Sequence, residues 1–411
     1  GAFAVAPDLT YFAVAAGNDG LRVFDLITGQ QVLRDEAAPT PLEDLVIGPV
    51  GAPVAGLATD GRVTVRARWS EPSRPLGLPG ASAIGLAGPA LWVGHPDGGH
   101  TLLDAASLAE RDRIEGAGSP VTAYAPAGRD GTVLAGHADG TLRIVTPGGA
   151  VFRVADDLGD RVTALEALDG GELIAAGSAD GDIAIVSVSA RRILGRWSAH
   201  RGAVSDLVAA GETILSAGAG GEVAVWTRDG DRLRRVRERG GDTVTDIAAI
   251  DFGGGQRILV SGPGKGVELW EPEGGERPLA TLFLTRTGWG IVDERGRFDG
   301  DRAVFEDISW TARGIDLELD RFAARYFEPG LLVKHLTALG YFLTPATNAV
   351  AEEVSPPPAV SVEVLRAPEA AGRAVTIRVI AAGEPEPSPR DIRLFHNGKR
   401  VARNAVVETS R

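Results

Sequence analysis

The chain is 411 residues long, 44% hydrophobic and 24% charged, a balance that suits a folded globular protein with one large domain and at least one small one. A formal net charge of −13 repels polyphosphates and argues against a nucleic-acid partner. With no Cys, the chain holds no disulfide, thiolate metal site or cysteine nucleophile, and no apolar run is long enough for a membrane-spanning segment.

The chain opens without Met, directly on the alternation Ala2-Phe3-Ala4-Val5-Ala6, and reads as a piece of a longer protein whose compartment is left open. Lys occurs only at 265, 334 and 399, so nearly all basic residues are Arg, a bias that suits a GC-rich bacterial gene. Gly is abundant, with 55 residues and no collagen-like period, which many short turns would explain.

From the first residues onward an apolar strand, a small-residue turn with Asp-Gly and a second apolar strand recur. The first copy is Phe12 to Gly17, then Asn18-Asp19-Gly20, then Leu21 to Asp25. Further turns stand at Asp60-Gly61, Asp97-Gly98, Asp139-Gly140 and Asp180-Gly181, with degenerate ones at Gly220-Gly221 and Lys265-Gly266. The turn glycines at 20, 61, 98, 140, 181, 221 and 266 are 41, 37, 42, 41, 40 and 45 residues apart. A four-stranded propeller blade takes about 40–45 residues, and Asp-Gly supplies the positive φ of a tight hairpin. This predicts a seven-bladed β-propeller over 1–284, with Asp19, Asp60, Asp97, Asp139 and Asp180 as turn residues of its blades. Their turn chemistry also explains these aspartates without calcium, which would need several oxygens within one loop.

The repeat resembles the WD-repeat propellers, whose blades read Gly-His, a strand with small residues, Asp-Gly, then Trp-Asp. The sixth copy keeps most of this: Ala199-His200, Val204-Ser205-Asp206-Leu207, Ile214 to Gly218 and Val223-Ala224-Val225-Trp226. The resemblance implies that His200, Ser216 and Trp226 occupy three positions of a hydrogen-bonded tetrad, with Gly220 in place of its Asp. Trp270 and Phe24-Asp25 are the other aromatic matches.

The repeat stops after Leu284. Gly288 to Val292, a turn at Asp293 to Gly296 and Arg297 to Gly300 predict a short hairpin. Leu317, Leu319, Phe322, Ala323 and Tyr326 are spaced for a helix over 316–327, and a second helix over 331–339 would stop at Gly340. Residues 285–345 are expected to dock on the propeller as a small α/β extension, because their apolar set is too small for a core of its own. Trp289, Trp310, Phe322, Phe327, Leu331, Leu332 and Leu336 are the expected buried side. Pro356-Pro357-Pro358 marks 346–358 as a stiff linker. Beyond it, 359–411 holds alternating strands and an Asn397-Gly398 hairpin turn, which look like a partial immunoglobulin-like β-sandwich.

This order resembles bacterial caspase-like proteins with WD repeats, with matches at Trp289, Gly296, Phe298 and Phe327-Glu328-Pro329. The resemblance implies a protease domain beyond the sandwich. No catalytic residue carries over, since such an enzyme needs a Cys paired with His.

The six His, at 95, 100, 137, 200, 335 and 396, show no ligand pair on one helix and are expected to be structural or solvated. Gly253-Gly254-Gly255 lacks the Lys-Ser/Thr of a phosphate loop and reads as a hairpin tip. Arg232, Arg234, Arg235 and Arg237, followed by Arg239, form a basic strand that is either a solvated outer strand or a site for an acidic protein partner. The expected function is a non-catalytic interaction or sensing propeller with a protein partner, a caspase-like protease domain or chain. The alternatives are a free-standing scaffold and, less favoured, a metal-dependent propeller hydrolase. The last would need Asp, Glu or His from several inner strands, and those strands read as mainly Ala, Val and Leu. No catalytic residue, cofactor or metal is expected.

Overall fold

The computed structural model describes residues 2–336 except 16–19, 36–40, 52, 69, 79, 117, 129, 238–241, 252–254, 263–265, 307, 313–314 and 319–325. Beyond these it describes the backbone of 359–366, 376–382, 395–396 and 399–400.

Strands follow one another by antiparallel hairpins into seven sheets. Blade one is β1 (Phe3–Val5), β2 (Tyr11–Ala15), β3 (Leu21–Asp25) and β4 (Gln31–Asp35). Blade two is β5 (Leu42–Ile47), β6 (Val54–Ala58), β7 (Val63–Arg66) and β8 (Arg74–Pro75). Blade three is β9 (Ala83–Ala87), β10 (Ala90–Gly94), β11 (His100–Asp104) and β12 (Glu110–Ile114). Blade four is β13 (Val121–Pro126), β14 (Val133–His137), β15 (Leu142–Val145) and β16 (Val151–Arg153). Blade five is β17 (Val162–Leu168), β18 (Leu173–Ser178), β19 (Asp182–Ser187) and β20 (Arg192–Ser198). Blade six is β21 (Val204–Ala210), β22 (Thr213–Gly218), β23 (Val223–Thr227) and β24 (Arg232–Arg237). Blade seven is β25 (Asp246–Asp251), β26 (Gln256–Ser261), β27 (Val267–Trp270) and β28 (Ala280–Leu284). The first strand of each blade touches the first strand of the next, and β25 touches β1, so the ring closes around a central channel. The protein is an all-β seven-bladed propeller.

The turn glycines explain the period. Gly20, Gly61, Gly98, Gly140, Gly181 and Gly221 all have φ between +79° and +94°, the region an Asp-Gly hairpin requires. Gly266 does not share that conformation; a Cβ there would lie 1.9 Å from the Leu282 carbonyl oxygen, so close backbone approach selects it instead. Gly61→Ala is expected to cost about 1–2 kcal/mol in urea unfolding. Gly80→Ala, where a Cβ meets nothing within 4 Å, should leave stability unchanged or slightly raised.

Apolar alternation places every second side chain between blades. Among the described residues seven clusters of buried side chains form, one at each junction of neighbouring blades. Small residues let the blades approach. An added Cβ at Gly94, Gly136 or Gly177 would lie 2.4–2.7 Å from Val121, Val162 or Val204 of the following blade.

The seventh sheet does not end at Leu284. It continues through β29 (Trp289–Asp293) and β30 (Phe298–Gly300) into six strands. Phe327 then makes a parallel bridge to Phe298 at the outer edge of β30. A short helix, α1 (Leu331–Leu336), packs Leu331, Leu332 and Leu336 into the cluster that joins blades one and seven. Val333 lies over Gly29 of the β3–β4 turn. Of the other side chains expected to be buried, Trp289 packs edge-on against Phe24, whereas Phe327 is 42% exposed despite its ring contacts with Phe298 and Phe305. The side chains of Trp310 and Phe322 lie outside the described residues, as does the second helix beyond Leu336.

The expected helix over 316–327 is corrected at its start. Ser309–Ala312 and Ile315–Glu318 are strands β31 and β32 of a two-stranded sheet. Ile315-Asp316-Leu317-Glu318 alternates with period two, and that pattern prevails over the helical spacing. Of the later residues, 319–325 lie outside the described set and Tyr326 is helical. The chain divides into two compact units, and the second comprises 310–317 with 348–411. In this unit β33 (Ala359–Arg366) pairs with β34 (Thr376–Ala382), and β35 (Phe395–His396) with β36 (Lys399–Arg400). The described strands of this unit form two-stranded sheets. The expected linker at 346–358 lies outside the described residues.

Candidate functional site

The described turn aspartates cap their own hairpins. The backbone N–H groups of Arg62, Gly99 and Thr141 donate to Asp60, Asp97 and Asp139, and Ser178 donates its hydroxyl to Asp180. Asp19 lies outside the described residues.

In blade six the three tetrad positions meet. Trp226 Nε1 donates to Ser216 Oγ at 2.7 Å, and Ser216 Oγ stands 2.7 Å from His200 Nε2. The serine hydroxyl accepts from the indole and shares a hydrogen bond with imidazole Nε2, which leaves Nδ1 on the far side of the ring. Glu222 Oε2 lies 3.7 Å from that nitrogen, so a carboxylate two residues after Gly220 supplies charge on this side. Burial pushes the His200 pKa down, against the pull of Glu222.

The four arginines of β24 are bound within the fold. Arg235 Nε donates to Glu222 at 2.8 Å, and Arg232 lies 3.7 Å from the same carboxylate and over the Trp226 ring. Arg234 donates to the Pro272 carbonyl, while the buried Arg237 reaches the Gly221 and Asp242 carbonyls and pairs with Glu268 at 3.3 Å. The basic run is a network that ties blade six to blade seven.

Three histidines gather at the junction of blades three and four. His95 Nε2 is 2.8 Å from Thr101 Oγ1, His137 Nδ1 is 3.0 Å from the Ser119 carbonyl, and His100 Nδ1 is 2.7 Å from the Tyr124 hydroxyl. The His100 and His137 rings meet edge-on at 6.0 Å. Burial, followed by the neighbouring charges of His137, Arg143 and His95, lowers the His100 pKa to about 4. Burial lowers His137 as well. His335, on α1, lies 3.5 Å from Asp293 of β29, which also binds Arg297 at 2.6 Å. His396 lies in β35.

The inner strands carry a feature that sequence reasoning missed: Asp44 on β5, Glu166 on β17, Asp206 on β21 and Asp246 on β25. In β5, β13, β17 and β21 the pairing register slips by one residue, at Glu43, Thr122, Thr163 and Ser205. Such bulges re-aim the side chain that follows, and two of those following residues are Asp44 and Asp206. Two of the carboxylates reach the next blade. Glu166 accepts from Ala209 N–H at 3.0 Å, and Asp206 from Ile247 N–H at 2.8 Å. An innermost strand has no strand partner on its channel side, so these amides would otherwise lack an acceptor.

The four side chains are half-buried in the ring. Burial raises the pKa of Asp44 to about 7, with the Asp246 charge adding to it. Burial alone raises Glu166 to about 7 and Asp246 to about 6. Asp206 is raised well above the usual range by burial, then by Asp246 and Glu166. Among the described residues no three His, Asp or Glu side chains are placed to hold a metal. Two cavities stand out, one under Leu332 between blades seven and one, the other beside Arg237, each with room for about one water.

No protein-family profile matches the chain, and no curated protein does. Solved structures do match its fold. A crystal structure of the computationally designed Ika8 protein aligns with a TM-score of 0.53 at 19% identity, covering 73% of this chain and 94% of that one. A structure of U3-55K aligns with a TM-score of 0.54 at 16% identity, and the RRP9 WD40 repeats with 0.54 at 15%, each covering 63% of this chain and 86% of its own. The chain has the WD40-repeat propeller fold, and identities this low show the fold alone.

Proposed function

We propose that this chain is a non-catalytic protein-interaction scaffold that serves as the sensing or regulatory propeller of a bacterial caspase-like protease protein. The observation that carries the scaffold reading is how the polar side chains are engaged. The channel carboxylates hold backbone amides of adjacent blades, the His–Ser–Trp set holds itself, and the arginine strand holds blade seven. Recognition then falls to the loops and outer surfaces. The protease link rests on the sequence resemblance, whose matching residues share one region here: Trp289 packs on Phe24, Gly296 takes φ +83°, and Phe298 is buried beside Phe327.

Purified chain is expected to show no turnover of Arg-, Lys- or Asp-directed peptide substrates and no stoichiometric metal by elemental analysis. Turnover that survives repurification would overturn the non-catalytic reading. For the protease link, the parent reading frame should encode a His…Cys protease domain that binds this chain when made separately. A parent gene without such a domain removes the link and leaves the scaffold.

A further inference from the structure

We propose that the outer edge of blade five, strand β20, is a docking edge for an acidic extended segment of a partner protein, which joins the blade as a fifth strand. The proposal rests on the scaffold reading and gives it a place and a ligand chemistry. At seven residues β20 (Arg192–Ser198) is the longest of the described outer strands, and one side of it faces no strand. The Ala199 N–H donates to the Gly181 carbonyl, and the ladder pairs Trp197 with Ile183 and Gly195 with Ile185. Antiparallel pairing alternates, so the backbone groups of Arg196 and Ser198 point away from β19. Among the described residues nothing bonds to them on that side. Gly195 adds no side chain to shield them, and Leu194 beside it is 48% exposed. The start of the same edge shows what it accepts. Ala155, in the loop after β16, donates its N–H to the Arg191 carbonyl, and the Asp156 carboxylate takes the Ile193 N–H at 3.1 Å.

The other outer edges are closed to such a segment. β28 is covered by β29, β8 has two residues and ends on Pro75, and β16 has three. A turn of blade seven lies on β24: Arg234 donates to the Pro272 carbonyl, and a Cβ on Gly274 would stand 2.7 Å from the Arg235 carbonyl oxygen. β4 and β12 carry Asp35, Glu110 and Asp112, which repel an acidic chain.

Charge sets the chemistry of the partner. From Val188 to Ala203 the sequence holds four Arg and no Asp or Glu. Arg196 is held by Asp182 at 2.7 Å and Asp180 at 3.6 Å. Arg191, Arg192 and Arg201 are exposed and have no carboxylate partner among the described residues; Arg191 lies over the Phe152 ring. They stand at the two ends of β20, so carboxylates on either side of a short β-forming run meet a cation at each end. A second copy of this chain fits poorly. Antiparallel pairing of two β20 strands would bring the Arg191–Arg192 end of one toward the Arg201 end of the other.

Fluorescence polarisation of the full chain with labelled synthetic peptides tests this. Glu-Glu-Val-Thr-Val-Thr-Val-Glu-Glu should bind saturably with a Kd below about 1 mM, and more weakly as salt is added. Pro in place of both Thr removes amide donors from the peptide and should weaken it about tenfold or more, and so should Lys in place of Glu. In the protein, Arg192→Glu/Arg201→Glu should reverse the preference between the Glu and Lys peptides. Ser198→Pro loses only an outward N–H; it should weaken the Glu peptide by a similar factor and keep the melting temperature within about 2 °C. On binding, amide exchange should slow at Arg196 and Ser198 and not in β12 or β24. If Ser198→Pro does not fold, the proline peptide decides, because it leaves the protein untouched. No saturation up to about 1 mM, equal binding of the proline peptide, or protection elsewhere overturns the proposal. Sedimentation as a dimer whose contact protects β20 overturns it in favour of self-pairing. Each of these outcomes leaves the scaffold reading in place, since turnover and metal content test that reading separately.

Discussion

Leu332→Asp is expected to open the ring at its seam, at a cost of roughly 4 kcal/mol or more, because it places an unpaired carboxylate in apolar packing. The seam is the junction at which the joined blades are not consecutive in the chain. Blade one uses the consecutive strands β1–β4 and blade seven the consecutive strands β25–β28, so no strand of one completes the sheet of the other. Side chains and the β29–α1 segment hold the two together. Phe12, Phe24 and Leu26 of blade one share a cluster with Leu259, Leu269 and Leu282 of blade seven and with Leu331, Leu332 and Leu336 of α1. The fully buried Arg22 of β3 donates to the Thr285 carbonyl and to Gln31, and Arg34 of β4 donates to the Arg286 carbonyl at 2.6 Å. Urea unfolding with amide hydrogen exchange checks the expectation. Exchange should accelerate first in β1–β3 and β25–β27 and stay slow in blades three to five. Leu332→Ala should cost about 2–4 kcal/mol with the same pattern. An Asp variant within 1 kcal/mol of wild type would show that the helix does not seal the seam.

Ser216→Ala is expected to cost roughly 2–5 kcal/mol, although it removes a single oxygen. That oxygen is the acceptor for Trp226 Nε1 and the partner of His200 Nε2, so its loss strands two buried polar groups. Trp226→Phe removes the donor along with the need for it. The double variant Ser216→Ala/Trp226→Phe should therefore be more stable than the sum of the single losses predicts, by about 1 kcal/mol or more. Chemical denaturation of the four proteins measures this coupling. Strict additivity would mean that the serine does not join the two rings energetically.

The legible parts of this protein were those encoded by local chemistry. Asp-Gly at intervals near forty residues specifies hairpins, and each hairpin carries its own alternation, so the seven blades follow from short segments read one at a time. The resemblance to WD-repeat propellers pointed to His200, Ser216 and Trp226, which lie within one repeat and within hydrogen-bond distance in the structure. At 315–318 two patterns compete in the sequence. Ile315-Asp316-Leu317-Glu318 alternates strictly and forms a strand, whereas the wider spacing that continues to Phe322 and Tyr326 fits a helix. The arginine run in β24 could be seen as basic but not as internally paired, because Glu268, Asp242 and Pro272 come from the next blade.

Taken alone, the sequence determined the number of blades and their turns, which depend on residues near one another along the chain. The tertiary structure alone decided that the seventh sheet runs on to Gly300, that α1 fills the seam, and that four acidic residues share the channel. Single carboxylates among Ala, Val and Leu look like solvated positions in each strand taken separately. Only the ring brings Asp44, Glu166, Asp206 and Asp246 together from blades two, five, six and seven, where burial raises all four pKa values and repulsion between carboxylates adds to it at Asp44 and Asp206.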